Sequence, residues 1–251
     1  MLEFDLAFFA LAIPAVMFAG VSKGGFGSGA AFVATPILAL VIPPSMALGV
    51  MLPLLMLADV TTLRAFWRQW DWPCARRIIF GAVPGVVLAG IVYKAVDPNL
   101  FRLLIGVIAL AFVGWQLSLK ARLFRFRARP FAPSGGYVAG GVAGFTSFIS
   151  HAGGPPVAVY LLAEGMRKTT YQATTVLCFW VINILKVIPY GFLGIFNRQT
   201  MVADLYLAPF IVIGALVGVK AHRMMPERLF FSMTYVLLTL TGGKLIWDAL
   251  T

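Results

Sequence analysis

The stretch SKGGFGSG, residues 22–29, interrupts a strongly apolar segment with one lysine and four glycines. A lipid-facing helix excludes a group such as Lys23, because a charge at the bilayer centre costs about 2.5–3.5 kcal/mol on insertion scales. A related interruption, SHAGGPP, occurs at residues 150–156. Unwound backbone at membrane depth persists only inside protein or beside a water-filled cavity, because its polar groups need partners. The two interruptions therefore predict a polar centre enclosed by protein.

The remaining sequence is typical of helices in lipid. The 251 residues are 61% hydrophobic and 12% charged, and the mean hydropathy is +0.92. A soluble domain of this length cannot bury so much apolar surface, and the continuous apolar runs differ from the short alternating strands of a β-barrel. The first segment, MLEFDLAFFALAIP, is acidic, so we expect a structural element rather than a cleaved signal peptide. We predict an all-α polytopic membrane protein.

Internal similarity divides the chain into two repeats. We place the first membrane repeat at residues 1–125, a basic linker at 126–133 and the second membrane repeat at 134–251. Each repeat begins with a glycine-interrupted hairpin, at 6–42 and 135–165, and continues with three apolar spans. Matching positions follow in the same order along both halves: Gly20 with Gly144, Gly29 with Gly153, Leu38 with Leu162, Ser45 with Thr169, Asp59 with Asn183, and Gly85 with Gly214.

The apolar spans are long enough to cross a membrane, whereas the pieces of the second hairpin are short. A helical crossing needs about 20 residues, and the break near Ser150 divides the second hairpin into shorter segments. A re-entrant hairpin, which enters and leaves the membrane on one face, fits better. Two tilted full crossings would return the chain to the same face. Each repeat then makes an odd number of net crossings, so we predict inverted-topology repeats. The predicted spans are 45–66, 77–95 and 99–119 in the first repeat, and 170–194, 203–221 and 229–249 in the second.

Positive charge is concentrated in short loops. The chain has 20 Lys and Arg against 9 Asp and Glu, a net charge of +11, and the run KARLFRFRARP at residues 120–130 alone carries five basic residues. Cytoplasmic loops of membrane proteins are enriched in Lys and Arg. We therefore predict that 120–130 is cytoplasmic and the N-terminus outside, in a bacterial inner membrane. We expect contacts with membrane lipids and no nucleic-acid partner.

Each break is predicted to place the N-terminus of a half-helix at the polar centre. Gly153 and Gly154 precede two prolines, which favour a first helical turn, and the matching half-helix is expected to begin near Ser28. Helix N-termini bind anions through unpaired N–H groups and partial positive charge, and inverted repeats bring two such ends together in many transporters. The predicted substrate-binding residues are Ser22, Lys23, Gly24, Gly25, Gly27, Ser28, Ser150, His151, Gly153, Gly154, Asn183 and Lys186.

Three further polar residues lie within the spans that follow the hairpins. Asn183 and Lys186 share one helix face, and Asp59 occupies the position that matches Asn183. We predict that they line one cavity, where Lys186 attracts the anion. Asp59 is favoured as a counter-ion to Lys23 or Lys186, because an unpaired carboxylate would repel the substrate. The alternative role is proton coupling, for which His151 is the second candidate.

Simpler interpretations exist for the same residues. Small residues in membrane helices often mark only helix packing, Lys23 can extend to the headgroups from a shallow hairpin, and His151 can be a buried histidine with no role in transport. The sequence has no nucleotide-binding loop, paired catalytic carboxylates or metal-ligand spacing, and its two cysteines, Cys74 and Cys178, form no disulfide framework. We predict no enzymatic activity and no cofactor or metal.

Three blocks of sequence carry a family resemblance: GGFGSGAAFVATPILAL at 24–40, GFTSFISHAGGPPVAVYLL at 144–162 and FWVINILKVIPYGFLGIF at 179–196. They resemble the sulfite exporter TauE/SafE family, also called the toluene-sulfonate uptake permeases. The first block departs from the family's G-x-G-G-G pattern at Ser28 and Ala30. The resemblance implies movement of sulfite, sulfonates or sulfoacetate. It assigns a substrate role to the matching positions Gly25, Gly27, His151, Gly153, Gly154, Asn183 and Lys186.

The combined prediction is a secondary transporter for a small sulfur-containing oxyanion that works by alternating access. Protons are the candidate coupling ion. A passive anion channel and a non-transporting membrane scaffold are the alternatives. The sequence leaves the direction of transport and the oligomeric state open.

Overall fold

The computed structural model of the protein describes residues 5–26, 31–95, 97–120, 132–222 and 227–251. These residues form helices joined by short connections, and none of them is in a strand. The ten α-helices are α1 (Leu6–Gly25), α2 (Ala34–Leu38), α3 (Pro44–Ala65), α4 (Trp72–Ala95), α5 (Pro98–Lys120), α6 (Pro133–Ser150), α7 (Gly154–Ala163), α8 (Lys168–Phe192), α9 (Arg198–Ala221) and α10 (Glu227–Leu250). A 3₁₀ turn, Ala31–Val33, leads into α2.

Local sequence signals set the helix ends. Asp5 caps α1 by accepting a hydrogen bond from the backbone N–H of Phe8 at 2.8 Å. Asn197 and Thr200 form a reciprocal capping box at the start of α9. The helices α3 and α6 begin with proline in the first turn, where its missing N–H is harmless. The helices α3 and α6 begin within two residues of the predicted 45 and 135, whereas α4 and α9 begin five residues before the predicted 77 and 203.

Within the described ranges, five helices are long and apolar enough to cross a membrane: α1, α3, α4, α8 and α9. The helix α7 has 10 residues and is therefore about 15 Å long, half the thickness of the hydrocarbon core. Of the five, α3 is the most enclosed, with 67% of its apolar window buried, against 33% for α4 and α9. The all-α polytopic membrane fold is thus confirmed, and α3 lies at its centre.

The two halves of the chain interleave. The helix α1 packs along α9, α6 packs along α4, α5 along α10, and α3 against α8. The helices α1 to α5 of the first half correspond in order to α6 to α10 of the second. Under this correspondence the pair α1 and α9 becomes α6 and α4, whereas the pairs α5 with α10 and α3 with α8 map onto themselves. The predicted linker 126–133 falls largely outside the described residues, so the domain boundaries remain a prediction.

Glycine contacts give the direction of the packed helices. A Cβ added to Gly81 or Gly85 of α4 would meet the backbone of Tyr137 or Gly141 of α6, so both helices advance in the same direction. In α1 and α9 the contacts likewise advance together. A Cβ on Gly106 of α5 would instead lie 2.7 Å from both Gly242 and Ile246 of α10.

A Cβ on Gly242 of α10 would lie near Ala109 and Leu110 of α5. Positions along α5 therefore rise as positions along α10 fall. The helices α5 and α10 run antiparallel, whereas α1 and α9 run parallel, as do α4 and α6.

Candidate functional site

A buried ion pair lies at the centre of the bundle. Lys23, in the last turn of α1, donates from Nζ to Oδ1 of Asp59 on α3 at 2.5 Å. Asn183 of α8 donates from Nδ2 to the other oxygen, Oδ2, at 2.7 Å. The exposed fractions are 3% for Lys23, 0% for Asp59 and 1% for Asn183. The Asp59 carboxylate is therefore held on both oxygens by groups from two other helices.

Lys186 lies one helical turn from Asn183 and is fully buried. Its Nζ donates to the carbonyl oxygen of Ser147 at 3.1 Å, to the hydroxyl of Ser147 at 3.0 Å and to Nδ1 of His151 at 2.8 Å. When Lys186 is an ammonium group it can only donate, so Nδ1 then accepts and the ring proton lies on Nε2. That nitrogen is 3.4 Å from the carbonyl oxygen of Leu48. The contacts of Lys186 thus favour a neutral imidazole at His151.

The charges at this centre do not balance. With both lysines and the carboxylate ionised, Lys23 and Lys186 contribute two positive charges and Asp59 one negative charge. Among the described residues, no carboxylate oxygen lies within the 4.0 Å ion-pair distance of Lys186 Nζ. A buried charge is costly unless it is paired and hydrogen-bonded. The neutral partners of Lys186 leave a net positive charge that an anion can compensate.

The second predicted break is present beside Lys186. The helix α6 ends at Ser150, and His151 adopts a left-handed conformation with φ of 56°. Thr146 Oγ1 donates to the carbonyl oxygen of Ala152 at 3.1 Å, which satisfies part of the unwound backbone. The helix α7 then begins at Gly154, with proline in its first turn. Its N-terminus therefore follows His151 by three residues, close to the position predicted from the sequence.

Gly153 occupies a space too small for any side chain. A Cβ at this position would lie 2.7 Å from the ring of Phe179, 2.8 Å from the carbonyl oxygen of Ala143 and 3.0 Å from Cβ of Ser147. The break is therefore packed tightly against α6 and α8. This contact fixes the backbone that carries His151.

The first predicted break, residues 22–29, is helical rather than unwound over residues 22–25. Helix α1 continues through Gly24 and Gly25, and Ser22 is buried within it. A Cβ on Gly24 would lie 2.2 Å from the carbonyl oxygen of Ala215 of α9, so close helix packing accounts for this glycine. Gly27 and Ser28, together with Gly29, lie outside the described residues.

Several residues of the centre were missed in the sequence. The ring of Phe179 lies 5.3 Å from Lys23 Nζ, and the ring of Tyr190 lies 5.9 Å from Lys186 Nζ. Their spacing relative to Asn183 and Lys186 places all four on one face of α8, a signal that could have revealed them. Gln172 donates from Nε2 to the carbonyl oxygen of Lys23 at 2.7 Å, a contact with no local sequence signal.

Comparison with known proteins identifies the family. The model of the family described as Sulfite exporter TauE/SafE matches residues 12–245, nearly the whole chain. No curated protein and no solved structure matches the chain. The family match spans both breaks and the helices that carry Lys23, Asp59, Asn183 and Lys186. The chain belongs to the sulfite exporter TauE/SafE family of membrane transporters.

Proposed function

We propose that the protein is a secondary transporter that moves a small sulfur-containing oxyanion, such as sulfite, a sulfonate or sulfoacetate, by alternating access. The observation that carries the proposal is Lys186, a fully buried lysine whose Nζ contacts Ser147 and His151 and no carboxylate among the described residues. It lies beside a broken helix at the centre of a membrane bundle. In such bundles an ionisable residue of this kind marks a substrate or ion pathway.

The two lysines have different roles in this proposal. Asp59 engages Lys23 directly and thereby serves as its permanent counter-ion. Lys186 keeps its charge available for the substrate. The bound oxyanion replaces the Ser147 carbonyl as an acceptor for Lys186 and accepts further hydrogen bonds from the Ser147 hydroxyl and the N-terminal N–H groups of α7.

Inverted repeats provide the two states that alternating access requires. The antiparallel α5 and α10, with parallel α1 and α9 and parallel α4 and α6, support this arrangement. Repeats of equal orientation would make α5 and α10 parallel. A pseudo-twofold axis in the membrane plane lets the halves exchange conformations around a fixed central site. We place the N-terminus outside and the 120–130 loop in the cytoplasm of a bacterial inner membrane, as the basic loops favour.

Protons are the proposed coupling ion, and His151 is the group best placed to carry one. Its Nδ1 accepts from Lys186 at 2.8 Å. Protonation of that nitrogen would break this bond and place a second cation beside the substrate. Proton binding and anion binding would then favour each other at the same centre. Asp59 is the second candidate for this role.

Flux measurements in proteoliposomes test the proposal. Labelled sulfite and a panel of labelled sulfonates are offered with and without a pH gradient, and saturable flux that the gradient drives is expected. Lys186→Met should abolish flux, and Lys186→Arg should retain part of it. Lys94→Met, at an exposed position near the end of α4, is the control. Linear, gradient-insensitive flux would indicate a channel, and absence of flux for every anion would refute transport.

A further inference from the structure

A polar cavity lies at the end of the bundle where α3 and α9 end and α8 begins. Its volume is about 380 Å³, and its lining includes Phe66, Gln69, Thr169, Lys220 and His222. This volume falls within the range of about 300–1,000 Å³ that is typical of small-molecule sites. The larger cavities of about 700 and 500 Å³ lie between helices and are lined mainly by apolar side chains. A small anion needs polar partners, so the polar cavity suits it better than these two apolar cavities.

The charge of this cavity is positive. Lys220 lines it, and among the described residues no carboxylate oxygen lies within 4.0 Å of Lys220 Nζ. A second cation, Lys168, donates from Nζ to the carbonyl oxygen of His222 at 2.9 Å. Asp71, which is near Gln69 in the chain, accepts instead from the backbone N–H of Cys74 at 2.8 Å. The described groups at the cavity therefore attract an anion.

The cavity is joined to the central ion pair through the end of α1. The ring nitrogen Nδ1 of His222 lies 2.6 Å from the carbonyl oxygen of Gly25, two residues beyond Lys23. Phe66, in the same lining, lies two helical turns along α3 from Asp59, which corresponds to about 10 Å. The cavity therefore lies near Lys23 and Asp59, whereas Lys186 lies about 25 Å from Thr169 along the axis of α8.

The opposite end of the bundle has a smaller cavity that is less favourable for an anion. A cavity of about 190 Å³ is lined there by Ser45, Tyr93, Asp97 and Arg102, among others. Ser45 and Tyr93 occupy the positions in the first half that match Thr169 and His222 in the second. The counterpart contains a carboxylate and has half the volume. The two ends therefore differ in their attraction for an oxyanion.

We propose that the cavity around Lys220 is a second anion-binding site, a vestibule that captures the substrate oxyanion before it moves to Lys186. Lys220 supplies the charge, and the side chains of Gln69 and Thr169 supply hydrogen bonds. The inference rests on the proposed transport function and adds a capture site at one face. With the predicted topology this is the cytoplasmic face, which suits a protein that takes its anion from the cytoplasm.

Transport kinetics measured separately from each face test the vestibule. In proteoliposomes with a defined orientation, Lys220→Gln should raise the KM for labelled sulfite about fivefold from the vestibule face, as expected for the loss of one charge near the ligand in a wet site. The maximal rate from the vestibule face and the KM from the opposite face should not change, and the maximal rate from the opposite face should fall by the same factor, because the gradient fixes the ratio of the two faces' maximal-rate-to-KM values. Lys220→Arg should restore the KM, and Lys94→Gln should leave the vestibule-face KM unaltered. An unchanged KM in Lys220→Gln, or an equal change from both faces, would overturn the inference.

Calorimetric titration of purified Lys186→Met protein with sulfite separates this inference from the proposed function. Residual binding that disappears in Lys186→Met/Lys220→Gln supports the vestibule, even if no anion is transported by the unmodified protein. Transport by the unmodified protein, together with no binding to Lys186→Met, refutes the vestibule and leaves the transport function intact.

Discussion

Asp59→Asn is the most informative single substitution at the centre. The side chains have nearly the same shape, so the change removes the charge and leaves the volume almost unaltered. Asp59 is fully buried, and it accepts from Lys23 at 2.5 Å and from Asn183 at 2.7 Å. The substitution leaves two buried ammonium groups with no carboxylate at the centre. Breaking a buried ion pair by removing one partner costs about 3–5 kcal/mol, and we expect a loss of stability of that size.

The double variant Lys23→Met/Asp59→Asn gives the decisive comparison. Removing both charges also removes the cost of keeping them out of water, and replacing a buried pair in this way is often neutral or stabilising. We therefore expect the double variant to be more stable than Asp59→Asn alone. Unfolding of the purified protein in one detergent, followed by tryptophan fluorescence, provides the stability order.

A surface ion pair provides the matched control. Lys244 and Asp248 are 2.8 Å apart on α10, and their side chains are 58% and 36% exposed. Exposed pairs contribute about 0–1 kcal/mol, so Asp248→Asn should change stability little. If Asp59→Asn were as stable as the double variant, or as mild as Asp248→Asn, the proposed counter-ion role of Asp59 would be wrong.

Three further predictions follow from the same contacts. Lys186→Met should raise the unfolding midpoint of the substrate-free protein, because it removes a buried charge without a carboxylate partner. In a Lys220→Gln background, which removes the vestibule, it should also abolish the stabilisation by sulfite, and a retained sulfite effect on the midpoint there would contradict the site. Gly24→Ala should destabilise the protein by about 1–3 kcal/mol, because its Cβ would meet the backbone of α9 at 2.2 Å, whereas Gly114→Ala, which meets nothing within 4 Å, should be neutral or stabilising by up to about 1 kcal/mol in the same unfolding assay. Tyr190→Phe removes the 2.6 Å hydrogen bond to the carbonyl oxygen of Phe148 and should cost about 1–3 kcal/mol, because that buried carbonyl loses its side-chain donor; an unchanged midpoint would show that the bond contributes nothing to stability.

Local patterns in the sequence determined the helices and the chemistry of the centre. The predicted span 45–66 corresponds to α3 at Pro44–Ala65, and the predicted span 203–221 ends with α9 at Ala221. Apolar run length, proline in first turns and glycine at breaks act over a few residues, so one chain segment contains the whole signal. The presence of Lys23, Asp59 and Lys186 in apolar segments also identified the residues to examine, because charges in such segments are costly.

The pairing of these groups was decided by the tertiary structure. The sequence offered Asp59 as a counter-ion to either lysine, whereas the structure joins it to Lys23 and leaves Lys186 with Ser147 and His151. Likewise, Gly24 belongs to a helix contact rather than to an unwound loop. Each of these outcomes depends on the depth and rotation of helices that are distant in sequence. Electrostatic and packing energies change over a few ångströms, a distance that only the assembled bundle defines.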